Sequence, residues 1–290
     1  MIDLHCHSTA SDGVLAPEAV MERAARRGLA GVALTDHDTL AGLAAARARA
    51  RQLGLRFLGG IELSTRWDGA AGAAGDVHVL GYGVHESAGG ALAAACRRLR
   101  RARAARARRM VRQLQAAGVG LELEAVRAEA GGAALGRPHV ARALVAGGWA
   151  SGVAEAFERW LAPGAAGYVP HARLETRAAV RLLRAAGAAA VLAHPGRLRL
   201  GDGGIAALTA ELAEEGLAGI EAHWGQHSPA EVALCLRLAA RHRLLATGGS
   251  DFHGAGHAGL ELGECAGGRS LPLALMDDLE ATGRKLVRAV

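Results

Sequence analysis

The chain has 290 residues, 51% of them hydrophobic and only 3% aromatic, so it can bury a large core, but alanine, leucine, valine and glycine must fill it. Its 34 basic and 28 acidic residues leave a net charge of +6, which suits a polyanionic partner. The basic side is almost all arginine, with Lys285 the only lysine, and this bias together with the alanine richness reads as a GC-rich genome. The longest apolar run, Ala185 to Ala193, is far too short to span a bilayer, no signal peptide precedes the first strand, and Cys6, Cys96, Cys235 and Cys265 lack zinc-cluster spacing. A reduced, cytoplasmic protein with no membrane contact is expected.

The first predicted strand carries His5 and His7. Residues two apart on a strand share a side, so both can grip one metal while Cys6 faces away. Asp12, in Ser11-Asp12-Gly13, lies where the strand has ended and can return a carboxylate to the same spot. After a helix over Pro17 to Arg27, a strand at Gly31 to Leu34 runs into Thr35-Asp36-His37-Asp38. A helix over Leu40 to Leu53 precedes a strand at Phe57 to Ile61 that ends on Glu62, and Val77 to Tyr82 forms a fourth strand holding His78. In the second half, a helix at Thr176 to Ala186 leads to a strand at Ala188 to Ala193 and then His194-Pro195. Leu217 to Ile220 leads to Glu221, and a helix at Ala230 to Arg241 leads to Leu244 to Thr247 and Ser250-Asp251-Phe252-His253.

Seven strands alternating with helices imply βα units and a parallel sheet. In a closed barrel of such units the working residues come from the carboxyl ends of the strands, where these side chains fall. The expectation is an α/β fold, a distorted seven-stranded TIM-like barrel. Its first part covers residues 1–85 and its second part 171–290. The stretch between them is too long for one crossover, so residues 86–170 are expected to form a helical insertion placed after the fourth strand and hence over the mouth. The arginine run from Arg97 to Arg109 within it reads either as the solvated face of a long helix or as a funnel for phosphate or nucleic acid.

This ordered set, His5-x-His7, Ser11-Asp12-Gly13, Thr35-Asp36-His37-Asp38, Glu62, His78, His194-Pro195 and Ser250-Asp251-Phe252-His253, resembles the PHP family, named for polymerase and histidinol phosphatase domains. The resemblance runs through the barrel from end to end. It implies a three-metal centre of manganese, iron or zinc. His5, His7, Glu62 and Asp251 would surround one ion, and Asp12, His37 and His253 would hold a second. Glu62 would bridge to a third completed by His78 and His194. It further implies phosphoester hydrolysis by a metal-bridging hydroxide, with Asp12, His37, His194 and His253 as catalytic residues.

Gly136-Arg137-Pro138-His139 resembles a stretch of the PHP enzymes that remove the 3'-phosphate from nucleoside 3',5'-bisphosphates, some of which trim short RNA from its 5' end. There the arginine and histidine contact phosphate. A guanidinium fork matches a phosphate bidentately, so Arg137 is the candidate clamp and His139 its companion or a proton donor. The substrates expected are a small phosphorylated nucleotide and short 5'-phosphorylated RNA, with two to three divalent ions, manganese foremost, and no obligate protein partner. Histidinol-phosphate phosphatase is the rival activity, and a non-catalytic nucleic-acid-binding or regulatory module the rival class. Asp36 and Asp38 read as groups supporting the ligands or capping helices. Glu221, His223 and His227 could line the mouth or be structural. His85, His171, His242 and His257 read as ordinary histidines.

Overall fold

A computed structural model describes residues 1–69, 74–85, 87, 89–132, 135–170, 173–254 and 260–287. His171 and His257 lie outside these residues.

The barrel strands are β1 (Ile2–Cys6), β2 (Gly31–Leu34), β3 (Arg56–Asp68), β4 (Ala74–Tyr82), β6 (Ala189–Leu192), β7 (Gly219–Trp224) and β8 (Leu245–Gly249). They follow one another in that order around the sheet, and the two-residue β5 (Leu174–Glu175) pairs off this path with β3. Past β8 the chain bonds back to β1, through Asp251 N–H to the His5 carbonyl and His7 N–H to the Phe252 carbonyl, both at 2.8 Å. That contact nearly closes the expected seven-stranded barrel.

One strand departs from the expected parallel arrangement. β4 runs antiparallel to both β3 and β6. Too few residues separate the end of β3 from the start of β4 for a crossover helix, and antiparallel neighbours need only a hairpin. The chain therefore leaves β4 at the end of the barrel away from the ligand-bearing loops. The 27-residue helix α3 (Gly90–Ala116) carries it back up, so the insertion does not reach the mouth directly from the fourth strand. The first half of α3 packs Leu92, Ala95, Cys96 and Leu99 into the barrel's outer apolar layer. Its second half, from Ala107 to Leu114, joins a separate apolar cluster. That cluster also takes in α4 (Leu123–Ala130), α5 (Arg137–Ala146) and the short α6 (Val153–Glu155), which continues as a π-helical turn over Ala156–Leu161.

Helices α1 (Pro17–Arg26), α2 (Leu43–Gln52), α7 (Thr176–Ala185), α8 (Gly201–Glu214) and α9 (Pro229–His242) surround the strands. Inside, Ile2, Leu4, Ala33, Leu58, Leu80, Tyr82 and Val191 form an apolar lower layer, joined by Leu275, Met276 and Leu279 of α10 (Ala274–Val287). The β1 to β2 register shifts between Asp3 and Cys6. This bulge lets Leu4 sit in the apolar layer while His5 and His7 rise into the polar layer above, and Cys6 packs outward as its alternation requires.

Candidate metal centre and phosphate cavity

All nine of the expected ligand side chains converge on the upper barrel. His7 Nε2 lies 3.2 Å from both Glu62 Oε2 and Asp251 Oδ1, and His5 Nε2 lies 3.4 Å from the same two atoms. His37 Nδ1 is 3.0 Å from Glu62 Oε2, and its Nε2 is 3.8 Å from Asp12 Oδ2. His253 Nε2 is 3.5 Å from Asp12 Oδ1. On the other Glu62 oxygen, His78 Nδ1 is at 2.7 Å and His194 Nε2 at 3.0 Å. Donors about 2.1 Å from a shared cation lie roughly 3.0 to 3.5 Å apart, and most of these separations are of that size.

Among the described residues, three groups of donor atoms are compact enough to hold an ion: His5, His7, Glu62 and Asp251; His7, Asp12, His37 and His253; and His37, Glu62 and His78. The first matches the set implied by the family resemblance. His7 joins the second. In the third, His37 stands beside Glu62 and His78, while His194 reaches the shared carboxylate oxygen outside that group.

The donor set fits cations on a further ground. Buried polar atoms in folded proteins are almost always hydrogen-bonded, yet His5 Nε2, both ring nitrogens of His7, His37 Nδ1, His194 Nδ1 and Glu62 Oε2 are buried without a hydrogen-bond partner among the described residues. Metal coordination would satisfy such a cluster. Despite burial, the surrounding imidazoles hold the Glu62, Asp12 and Asp251 carboxyls well below the usual carboxylate range. Burial opposes a charge on His7 too, but Asp251 and Glu62 push it up to about 10. Burial pulls His78 and His194 downward, more than Glu62 lifts them.

Buried carboxylates outside the nine hold this arrangement in place. Glu221 accepts from His5 Nδ1 at 2.9 Å and from the His194 backbone N–H at 2.8 Å. Asp36 accepts from the Ser8 N–H and the Ser8 and Ser11 hydroxyls at 2.6 to 2.8 Å, fixing the turn that presents Asp12. Asp38 accepts from the Ser64 N–H at 2.8 Å and from Arg103 Nε at 2.6 Å. Asp3 accepts from the N–H groups of His5, Ser250 and Gly263 and from the Ser250 hydroxyl. Asp3 was not legible as a site residue, although its place two residues before His5 is a signal of the same kind as His7. His227 accepts from the Gly196 N–H at 3.1 Å, bracing the turn after His194. His223 is buried away from the cavity wall. The ligand loops carry backbone strain: Asp38, His194 and Asp251 have φ of 54°, 28° and 56°, a region that side chains other than glycine rarely occupy.

Above the cluster opens a cavity of about 440 Å³. Asp12, His37, Glu62, His78, His194, Asp251 and His253 form its acidic and imidazole floor. Arg103, Arg106, Arg137, Arg173 and Arg197 form a cationic wall beside Phe157 and Trp224. Trp224 Nε1 donates to Asp251 Oδ2 at 3.3 Å. Arg137 and Arg197 have no carboxylate or hydrogen-bond partner among the described residues, and the Arg137 guanidinium stacks 4.9 Å from the Phe157 ring centroid. Burial, then the Arg197 charge, pulls Arg137 below the ordinary arginine value. Burial lowers Arg106 and Arg173 to about 10.

His139 is placed differently from Arg137. It is buried off the cavity wall, and its Nδ1 accepts the Gly136 N–H at 2.9 Å, capping its own helix. Burial, with Arg142 next, lowers its pKa to about 4.

The PHP domain signature matches residues 3–79. The 3',5'-nucleoside bisphosphate phosphatase of Chromobacterium violaceum is 41% identical over 90% of each chain. The chain belongs to the PHP family. Two further relatives are the phosphoribosyl 1,2-cyclic phosphate 1,2-diphosphodiesterase of Eggerthella lenta, 41% identical over 87% of this chain and 94% of the relative, and the 5'-3' exoribonuclease Rnm of Escherichia coli, 38% identical over 87% and 84%. A solved Chromobacterium violaceum structure, described as an amidohydrolase with bound sulfate and no metal, superposes with a TM-score of 0.86 at 38% identity, covering 97% of this chain and 96% of that one. All three named relatives act on phosphoric esters, and this PHP chain is a phosphoester hydrolase of the same class.

Proposed function

We propose that the protein removes the 3'-phosphate from nucleoside 3',5'-bisphosphates, converting adenosine 3',5'-bisphosphate to AMP. One observation carries this reading: the cavity has two unlike halves, a carboxylate and imidazole floor suited to cations and a separate wall on which Arg137 and Arg197 lack acidic partners among the described residues. A substrate with two phosphates matches both halves, whereas one with a single phosphate would leave the arginines uncompensated.

Two to three divalent ions, manganese foremost and iron or zinc as alternatives, would be held by His5, His7, Asp12, His37, Glu62, His78, His194, Asp251 and His253. When bound, such ions supply a nucleophilic water at neutral pH and neutralise charge on the phosphoryl group. Asp12, His37, His194 and His253 face the open cavity and carry the chemistry from the protein's side, orienting the scissile phosphate over the floor. Arg137 grips the other phosphate, and the rings of Phe157 and Trp224 flank the space between. A cytoplasmic setting belongs to this proposal.

Trimming of short 5'-phosphorylated RNA is a second reading, favoured by the cavity's arginine wall continuing onto α3. A side-by-side assay with manganese tests both against their rivals. The specificity constant should be highest for adenosine 3',5'-bisphosphate, lower for a short 5'-phosphorylated RNA, and lowest for histidinol phosphate and phosphoribosyl 1,2-cyclic phosphate. Preference for either of the last two would overturn the assignment.

A further inference from the structure

Helix α3 contains nine arginines and no acidic residue in its 27 positions. Two of them, Arg103 and Arg106, line the cavity. The other seven, between Arg97 and Arg112, are exposed, and none has an ion pair or hydrogen-bond partner among the described residues.

The chain's arginine-rich composition does not by itself account for this, because helices α2, α7 and α10 each match arginines with acids. Arg49 of α2 pairs with Glu22 of α1 at 2.9 Å. Arg177 and Arg181 of α7 converge on Glu215 at 2.6 and 2.9 Å. Arg284 of α10 pairs with Glu280 at 3.5 Å. Like charges three and four residues apart destabilise a helix by a few tenths of a kcal/mol per pair, so the seven arginines of α3 accumulate a repulsion that a polyanion would relieve, where α9 carries only Arg237 and Arg241 in this state.

The geometry is that of a track. At about 100° per residue, Arg97, Arg101, Arg108 and Arg112 fall within about 60° of one another around the helix axis, and they extend over about 22 Å along it. Arg100 and Arg109 stand three residues from Arg103 and Arg106, hence beside them on the helix surface. The stripe itself lies on the side of the helix away from Arg103 and Arg106, and Arg100 and Arg109 stand on the two flanks between, so a strand leaving the cavity would pass around α3 to reach it. No large hydrophobic residue is exposed on α3, so the face lacks the apolar wedge with which basic helices enter a bilayer.

We propose that the outer face of α3 binds the sugar-phosphate backbone of a single-stranded nucleic acid whose 5' end occupies the cavity. This deepens the RNA reading of the same site and rests on it. Length is then read by charge: substrates too short to leave the cavity gain nothing from the stripe, while longer strands gain several phosphate contacts.

The test compares the wild type with the quadruple variant R97Q/R101Q/R108Q/R112Q. Glutamine keeps the helix propensity of arginine, and circular dichroism and a thermal melt check the fold. Fluorescence anisotropy with a 3'-labelled, 5'-phosphorylated uridine dodecamer, in chelator to prevent cleavage, is followed against salt. The variant should bind the dodecamer at least about tenfold more weakly, and its log–log salt slope should shrink by about 2 to 3, since each lost phosphate contact on a single strand is worth about 0.7. With manganese, hydrolysis of adenosine 3',5'-bisphosphate and of a 5'-phosphorylated dinucleotide should be unchanged. Undetectable dodecamer binding by the wild type, or equal affinities and slopes for the two proteins, would overturn the proposal. So would retention of the wild type but not the variant on phosphatidylserine vesicles with no difference on RNA, which would assign the stripe to a membrane surface. A wild type that binds the dodecamer yet leaves adenosine 3',5'-bisphosphate intact would defeat the bisphosphatase reading and leave this one standing.

Discussion

Arg137 stands at the start of α5, over Phe157 and across from the imidazole floor, with no carboxylate to neutralise it among the described residues. A charge-assisted bidentate contact to phosphate contributes on the order of 2 to 3 kcal/mol, roughly a hundredfold in the specificity constant. Arg137→Ala should therefore lose about that factor on adenosine 3',5'-bisphosphate but little on p-nitrophenyl phosphate, which has one phosphate. Steady-state kinetics on the two substrates decide the matter. Equal losses would move Arg137 to the scissile phosphate, and no loss on either would leave it a structural residue. Arg137 was legible because it sits inside a short motif. Arg173 and Arg197 were not, since they come from separate loops and only the closed fold sets them on one wall.

At the scale of the element, the four residues Gly136-Arg137-Pro138-His139 divide their labour in a way the motif alone does not reveal. Gly136 precedes the helix in an extended conformation, Pro138 fits its first turn, and His139 returns Nδ1 to the Gly136 N–H. A protonated imidazole cannot accept that bond. With its pKa lowered to about 4 by burial and by Arg142, His139 is neutral in the folded protein, whereas the unfolded chain takes up a proton near the ordinary 6.5. The unfolded state thus binds more protons between those values, so this residue's contribution to stability is full above about pH 6.5 and shrinks as the pH falls toward 4. The slope is of order 1 kcal/mol per pH unit. His139→Gln keeps an acceptor suited to the third helical position but does not titrate. Melting temperatures taken from pH 7 down to pH 4.5 should fall faster for the wild type than for His139→Gln, and parallel curves would refute the argument. Element direction was likewise hidden. Val77 to Tyr82 reads as a strand from its composition, but its antiparallel course follows from the short connection behind it and not from any residue within it. That course is what lets His78, midway along β4, reach the same end of the barrel as residues at the carboxyl ends of its neighbours.

Across the whole molecule, the nine candidate ligands run from His5 to His253, and they come from β1 and the turn after it, the loop after β2, strands β3 and β4, and the segments following β6 and β8. Alternating strands and helices made the barrel legible, and the polar residue ending most strands made this convergence legible with it. The supporting carboxylates were less so: Asp3 and Glu221 look like any acid on a strand until Ser250 and His194 are brought beside them. A layer of buried imidazole and carboxylate atoms without hydrogen-bond partners among the described residues destabilises the fold, and ions bound there would remove that penalty while tying the first strand to the last. Binding to the native state alone adds about 2.7 kcal/mol at a hundredfold excess over Kd. A chain of this size gains roughly 2 to 4 °C per kcal/mol. Manganese should accordingly raise the melting temperature by roughly 5 to 10 °C over chelator-treated protein, and the gain should shrink at acid pH, where protons compete for the same nitrogens and oxygens. Glu62→Gln, which weakens the carboxylate common to two of the donor groups, should lose most of the manganese-dependent rise. An unchanged melting temperature, with only trace metal by elemental analysis of the manganese-treated protein, would refute a metal centre at this site.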